Sequence, residues 1–87
     1  MKYQNNVTEK QELKKYNYME IFNRIKIALV EKDKTGKWLA EQLGKSTCTV
    51  SKWCKNSIQP DIKTLNDIAN LMDVDVKDLL VSNKETL

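Results

Sequence analysis

A single glycine between two short helical patterns places the strongest constraint on how this chain can fold. Residues 35–56 read TGKWLAEQLGKSTCTVSKWCKN, with Gly44 near the middle. The apolar residues that lie at helical spacing on the two sides of this glycine are Trp38, Leu39, Leu43, Val50 and Trp53. Glycine readily adopts the left-handed conformation with which many helices end. The stretch therefore predicts two helices joined by a tight turn.

The second of these helical patterns has a polar side that differs from an ordinary charged surface. Ser46 is placed to cap the helix, because its side chain can accept a hydrogen bond from a free backbone N–H. The side opposite the apolar residues carries small or basic groups, namely Thr47, Cys48, Ser51, Lys52 and Lys55. Such a face suits a DNA groove, which is edged with phosphates and lined with base edges. The competing interpretation is that these residues only solvate an exposed helix, but no acidic residue lies between Lys45 and Ser57.

This pattern resembles the helix-turn-helix of the phage repressor/Cro-type family of DNA-binding regulators. The matching positions are Ala40 in the first helix, Gly44 at the turn, and Val50 and Trp53 inside the second helix. Residues 60–80 are similar to the family's fourth and fifth helices, so the resemblance covers about residues 19–81. It implies an all-α fold, a five-helix lambda repressor-like domain with the helix-turn-helix at helices two and three.

The resemblance also implies which residues would contact DNA. In the family, the first, second and sixth positions of the second motif helix, expected at about residues 47–55, approach base edges, and Ser51 faces the same way. The expected base-contacting residues are Thr47, Cys48, Ser51 and Lys52. The expected phosphate-contacting residues are Thr35, Gly36, Lys37, Lys45, Ser46, Lys55 and Asn56. Gly36 stands where the family often has a glutamine near the helix start, so a backbone contact is expected there instead of a side-chain contact.

The remaining helices follow from apolar spacing and capping residues. Helix one is predicted over residues 18–32, with Asn17 as its cap and Glu20 reaching back to that cap. Its predicted core stripe is Ile21, Phe22, Ile25, Ala28 and Leu29. Asn56 is predicted as a left-handed residue that ends helix three.

The C-terminal third of the chain predicts two further helices. Pro60 and Asp61 are expected to open helix four, since proline is tolerated in a first turn and aspartate complements the dipole. The apolar stripe of this helix is Leu65, Ile68, Ala69 and Met72. Asp75 is expected to cap a short last helix. The residues of that helix that are expected to close the core are Val76, Leu79 and Leu80.

The domain boundaries expected from these patterns are residues 1–17, 18–81 and 82–87. Residues 1–17 form a polar extension, partly helical if Thr8 and Gln11 make a capping box. Three interpretations of this extension remain open: a loose tail, a helix packed on the domain or on a partner, and a basic arm along DNA. Residues 82–87 are expected to be a tail.

Composition and charge narrow the class of function. The 87 residues carry a net charge of +3, which divides into +2 for residues 1–18, +4 for 19–56 and −3 for 57–87. A basic body with an acidic end is typical of a protein that binds a polyanion through one face. The chain contains no histidine, and its two cysteines, Cys48 and Cys54, lie six residues apart on nearly opposite sides of a helix. We therefore expect no metal site, no cofactor and no enzymatic activity.

The same residues set expectations for partners and location. The longest apolar run, at 27–30, is far too short to span a membrane, and the N-terminus lacks the apolar segment of a secretory signal, so a cytoplasmic protein is expected. The predicted function is sequence-specific binding of double-stranded DNA by a transcriptional regulator of the repressor type, with a homodimer as a possible assembly. The alternative is an antitoxin-like or other protein-interaction module, which binds a partner through residues 1–17 and binds DNA only secondarily.

Overall fold

The computed structural model describes residues 21–84, which form a bundle of helices. The four α-helices are α1 Ile25–Glu31, α2 Gly36–Leu43, α3 Thr47–Cys54 and α4 Ile62–Met72. A 3-10 helix follows at Val76–Leu79. The predicted all-α class is confirmed, and the fifth helical element is this single 3-10 turn. The predicted extension at residues 1–17, including the Asn17 cap, lies outside the described residues.

The core is built from one apolar stripe on each helix. The buried hydrophobic residues are Ile25, Ala28, Leu29, Leu39, Ala40, Val50, Trp53, Leu65, Ile68, Ala69, Met72 and Leu79. Trp38 and Leu43 are half-buried and pack against this cluster. Ala40 is 1% exposed, so a methyl side chain at this position lets neighbouring elements approach α2 closely. The apolar spacing therefore predicted the buried side of each of these helices.

The first helix begins later than the pattern predicts, because residues 22–24 pair with the C-terminal segment. The backbone N–H of Arg24 donates to the Leu79 carbonyl (2.8 Å), and the N–H of Val81 donates to the Phe22 carbonyl (2.9 Å). These bonds satisfy the backbone groups that a further helical turn would otherwise use. Phe22 is 53% exposed and Ile21 58%, so their predicted place in the core is wrong.

The N-cap position of α1 is Arg24, whose side chain makes no capping hydrogen bond. The Oδ1 atom of Asn23 accepts a hydrogen bond from the backbone N–H of Ile25 at 3.0 Å. Asn23 is the one polar residue that is buried among residues 21–84. Asn23 thus bonds to the first backbone N–H of α1 from a buried position.

Two further predictions, for Leu80 and Pro60, differ from the structure. The chain becomes extended at Leu80, so that Leu79 points into the core and Leu80 is 45% exposed; the predicted core position of Leu80 is wrong. Asp61 is the N-cap of α4, and its side chain accepts from the backbone N–H of Thr64 at 2.8 Å. Pro60 therefore precedes the cap and does not lie in the first turn as predicted. The predicted cap of the last helix is confirmed, since Asp75 accepts from the backbone N–H of Lys77.

Candidate nucleic-acid interface

Helix α3 lies with one side in the core and the opposite side in solvent. Val50 is fully buried and Trp53 is 5% exposed. The exposed residues on the other side are Thr47, Cys48, Ser51, Lys52 and, at the helix end, Lys55. At about 100° per residue, these five side chains occupy an arc of roughly 140° around the helix axis. The residues predicted from the sequence to contact bases are thus brought together on one accessible face.

The turn before α3 is a compact left-handed connection that sets where this face begins. Gly44 has a φ of 68°, and the N–H of Lys45 donates to the Ala40 carbonyl at 3.0 Å, as in the 6→1 bond of a Schellman ending. Ser46 caps α3 as predicted, because its Oγ accepts from the backbone N–H of Thr49 at 3.0 Å. The same hydroxyl donates to Oγ1 of Thr49 at 2.9 Å. The Ser46 hydroxyl is therefore engaged within the helix start, while the Lys45 side chain is exposed.

The start of α2 lies beside α3 and carries further basic groups. Thr35 is the N-cap of α2, a position that threonine favours, and its Oγ1 accepts from the backbone N–H of Trp38 at 3.0 Å. A Cβ atom at Gly36 would lie 3.7 Å from Cγ1 of Val50, so the beginning of α2 packs against the buried side of α3. Lys37 is exposed, and the Lys34 ammonium lies 5.0 Å from the centroid of the Trp38 ring. Two lysines thus flank the exposed helix start that was predicted to meet phosphates.

The C-terminal end of α3 is closed by its own hydrogen bonds. Asn56 has a φ of 62°, which confirms the predicted left-handed ending. The backbone N–H and the hydroxyl of Ser57 both donate to the Lys52 carbonyl, at 3.0 and 3.2 Å. The N–H of Asn56 donates to the Trp53 carbonyl at 3.0 Å. Hence the amides around Asn56 already have partners inside the protein, and Lys55 is the exposed cation at this end.

The side chain of Asn56 also turns inward rather than toward solvent. Its Oδ1 atom accepts from the backbone N–H groups of Phe22 and Asn23, each at 2.9 Å. Sequence reasoning did not single out Asn23 or Gln59, which complete this polar cluster. The signal that was available is an amide at Asn23 directly after Ile21 and Phe22 and close to Ile25, since an amide that is buried among apolar residues needs hydrogen-bond partners.

The two cysteines lie in different environments. Cys48 is exposed and Cys54 is half-buried, and both are free thiols. Burial raises the pKa of the Cys54 thiol above its ordinary value, an effect that the nearby Lys26 partly offsets. Within residues 21–84, no group of three or more His, Cys, Asp or Glu side chains is arranged to hold a metal ion.

Comparison with known families identifies the fold. The model of the Cro/C1-type helix-turn-helix DNA-binding domain matches residues 24–85, a range that contains all four α-helices and the 3-10 helix. This chain belongs to the Cro/C1-type family. A Cro/C1-type domain binds DNA and serves in transcription regulation, so DNA is the partner that the fold implies. The resemblance inferred from Ala40, Gly44, Val50 and Trp53 is confirmed.

A solved structure supports the same placement. The crystal structure of a candidate DNA-binding protein from Bacteroides fragilis is 49% identical to this Cro/C1-type chain. The similarity covers 68% of this chain and 95% of that one, with a TM-score of 0.67. No curated protein matches the chain significantly. Among the described residues, 21–84, none of the helices has the length and apolar character to cross a membrane.

Proposed function

We propose that this Cro/C1-type domain is a sequence-specific transcriptional repressor that inserts α3 into the major groove of double-stranded DNA. The observation that carries the proposal is the division of α3 between a buried side, at Val50 and Trp53, and an exposed side without acidic residues. An α-helix fits the width of the major groove, where each base pair presents a distinct pattern of donors and acceptors. The exposed side of α3 is the part of the domain with both the shape and the chemistry for that groove.

Base contacts are assigned to the four small or basic side chains on this face. Lys52 donates to the O6 and N7 atoms of guanine, the acceptors that lysine can reach in the major groove. Thr47 and Ser51 each donate or accept a hydrogen bond, and the Thr47 methyl group also suits a thymine methyl. Cys48 contributes mainly apolar contact, because a thiol is a weak donor. The sequence preference is therefore expected to depend most strongly on Lys52.

Phosphate contacts are assigned to the two edges of this face. Lys37 and the backbone at Thr35 and Gly36 approach one strand from the start of α2, where free N–H groups favour an anion. The further residues assigned to phosphates are Lys45, Ser46, Lys55 and Asn56. Of this last group, Lys45 and Lys55 offer exposed ammonium groups, whereas the Ser46 hydroxyl and the Asn56 amide already have partners within the protein. The lysines thus carry most of the electrostatic attraction that draws the domain to DNA.

A homodimer is part of the proposed function, and the structure offers a surface for it away from α3. A groove of about 380 Å³ lies between α1 and the C-terminal segment. Three apolar side chains in its lining are exposed, Ile27 at 45%, Leu80 at 45% and Val81 at 37%. Its lining also contains cations and anions, Arg24 and Lys77 with Glu31 and Asp78. A surface with both signs of charge can pair with a second copy of itself across a two-fold axis.

Selection of duplex oligonucleotides from a random pool, with the mass of the bound complex measured by sedimentation, tests this proposal. We expect enrichment of a pseudo-palindromic sequence, bound by two chains, whose half-sites lie about 34 Å apart. Enrichment of one half-site bound by a single chain would support groove insertion but contradict the dimer. A pool that remains random after several rounds would contradict sequence-specific recognition.

A further inference from the structure

Three amide side chains form a connected polar cluster at the C-terminal end of α3. We call Asn23, Asn56 and Gln59 the amide clamp. The Nδ2 group of Asn23 donates to the Trp53 carbonyl at 3.0 Å and to Oε1 of Gln59 at 2.7 Å. The Nε2 group of Gln59 donates to Oδ1 of Asn56 at 3.1 Å. Each member of the clamp is therefore bonded to the other two or to the backbone beside them.

The clamp joins two parts of the chain that lie far apart in sequence. Asn56 holds the extended backbone before α1, since its Oδ1 accepts from Phe22 and Asn23 and its Nδ2 donates to the Asn23 carbonyl at 3.2 Å. On its other side, this extended backbone pairs with residues 79–81. The end of α3 is thus tied through one extended segment to the last part of the domain.

A helix as short as α3 needs support at both ends if its side chains are to be presented at a constant angle. Its eight residues make little more than two turns, roughly 12 Å in length. The Gly44 turn and the packing against α2 hold the first turn. The last turn contains the Lys52 and Trp53 carbonyls, whose partners lie beyond the helix: Ser57 donates to the Lys52 carbonyl, and the Asn56 N–H and the Asn23 side chain donate to the Trp53 carbonyl. The Trp53 carbonyl is the one to which Asn23 is bonded, and it belongs to the same turn from which Lys52 projects.

We propose that Asn56 and Asn23 are positioning residues for DNA recognition, which set the tilt of α3 and so the place that Lys52 takes in the groove. This inference rests on the proposed function, because it concerns how the same face of α3 reads bases. Phosphate attraction tolerates small changes of orientation, whereas a hydrogen bond to a base edge does not. Loosening the clamp therefore removes discrimination between sequences before it removes affinity for DNA in general.

The variant Asn56→Gly removes the side-chain bonds of the clamp while it keeps the turn at the end of α3. Glycine adopts a φ near 62° without strain, so the left-handed ending of α3 remains while the side-chain bonds to Phe22, Asn23 and Gln59 disappear. The control is Ile68→Val. Ile68 is fully buried on α4 and takes no part in the amide clamp, so this change lowers stability and leaves the hydrogen bonds at the end of α3 in place. Gln59→Ala, which leaves Asn56 in place, is the second variant and replaces Asn56→Gly if that chain does not fold.

Two affinities are measured for each variant at one salt concentration, for the oligonucleotide selected by the wild type and for an unrelated duplex. Folded fraction is measured alongside by circular dichroism. For Asn56→Gly we expect the ratio of the two affinities to fall roughly tenfold, comparable to one mismatched base pair. We expect the affinity for the unrelated duplex to change by less than about twofold, because the lysines that meet phosphates are intact and the phosphate contact assigned to residue 56 is made by its backbone, which glycine keeps.

The outcomes separate this inference from the proposed function. A fall in the ratio with Asn56→Gly, and an unchanged ratio with Ile68→Val, supports the positioning role. If both affinities fall in parallel with the folded fraction, as expected for the Ile68→Val control, the clamp is only structural and the inference is overturned. If the wild type itself prefers no sequence, the proposed function fails first, and the positioning role fails with it.

Discussion

The side chain of Asn56 holds the backbone of Asn23 at both of its polar groups. Oδ1 of Asn56 accepts from the Asn23 N–H at 2.9 Å, and Nδ2 donates to the Asn23 carbonyl at 3.2 Å. One side-chain amide thus replaces the neighbouring strand that an extended segment would otherwise need. Because the Asn23 side chain in turn bonds to the Trp53 carbonyl, the segment before α1 and the end of α3 each hold the backbone of the other.

The buried amide of Asn23 is expected to matter for stability. Asn23→Ala removes the acceptor of the Ile25 N–H and leaves the Trp53 carbonyl without this donor, so we expect a loss of about 1–3 kcal/mol in the free energy of unfolding. Urea denaturation followed by circular dichroism measures it. The matched control is Asn66→Ala, an exposed asparagine on α4, for which we expect a change within about 0.5 kcal/mol. Equal effects of the two changes would contradict the role given to Asn23.

The two glycines of the chain are expected to respond in opposite directions to the same substitution. Gly36→Ala places a methyl group 3.7 Å from Val50 Cγ1, an ordinary contact, and removes the backbone freedom of glycine from a helix start. We expect a gain of about 0.4–1 kcal/mol in the free energy of unfolding. At Gly44, with φ of 68°, alanine meets no atom within 4 Å, but the left-handed conformation costs about 1–2 kcal/mol. Thermal unfolding of both variants tests whether Gly36→Ala raises stability and Gly44→Ala lowers it.

Lys52→Ala tests the assignment of a base contact on α3. Because Lys52 is exposed and projects from the face opposite Val50, its removal should leave the fold unchanged. We expect the preference at one base pair of the selected sequence to relax, at a cost of about 1–3 kcal/mol in binding free energy. Binding to a set of oligonucleotides with single changes at each position measures this. A preference that stays the same at every position would remove Lys52 from the base-contacting residues.

Lys55→Ala tests the assignment of a phosphate contact at the end of α3. We expect weaker binding to all sequences alike, with the slope of log affinity against log salt concentration reduced by about one charge. Titrations at several salt concentrations provide the slope. Lys63→Ala is the control for loss of a positive charge, because the Lys63 ammonium is paired with Asp67 on α4 at 3.0 Å. If Lys63→Ala lowers the slope as much as Lys55→Ala does, a specific phosphate contact by Lys55 is contradicted.

The cap of α4 is expected to make stability depend on acid pH. Hydrogen bonding from the side chain and the backbone N–H of Thr64 lowers the pKa of the Asp61 carboxyl below its ordinary value of 3.8, and Lys45 and Lys63 act in the same direction. Because the pKa of Asp61 is lower in the folded state, its ionised carboxylate stabilises the fold fully above pH 3.8. This stabilisation is lost as the pH falls through the pKa that Asp61 has in the folded protein. Asp61→Asn keeps a capping side chain without a carboxyl. Thermal unfolding is measured between neutral and acid pH for the wild type and for Asp61→Asn, and we expect stability to depend less on pH in the variant. The same pH dependence in both proteins would contradict the role given to the Asp61 carboxylate.

Much of the fold follows from local patterns in the sequence. The caps at Thr35, Ser46 and Asp75 and the left-handed endings at Gly44 and Asn56 are all where the residue types predict them. Each of these features depends on a side chain and the few backbone groups next to it, so a short stretch of sequence contains the necessary information. The exposed face of α3 follows in the same way, because Val50 and Trp53 determine which side turns inward.

The predictions that were wrong, for Phe22 and Leu80, share one cause: these residues pair with a distant part of the chain. Phe22 has the helical spacing of a core residue, yet its carbonyl bonds to Val81 and its N–H to Asn56. Leu80 has the apolar character of a core residue, yet the extended backbone that pairs with residues 22–24 turns it outward. Local spacing carries no information on such partners.

By itself, therefore, the sequence determined the helix-turn-helix, the caps of its helices and the side of α3 that meets solvent. The tertiary structure alone decided where α1 begins, which asparagine is buried and how the end of α3 is held. The physical reason is that a helix satisfies its backbone within a few residues, whereas an extended segment must find its hydrogen-bond partners elsewhere in the fold.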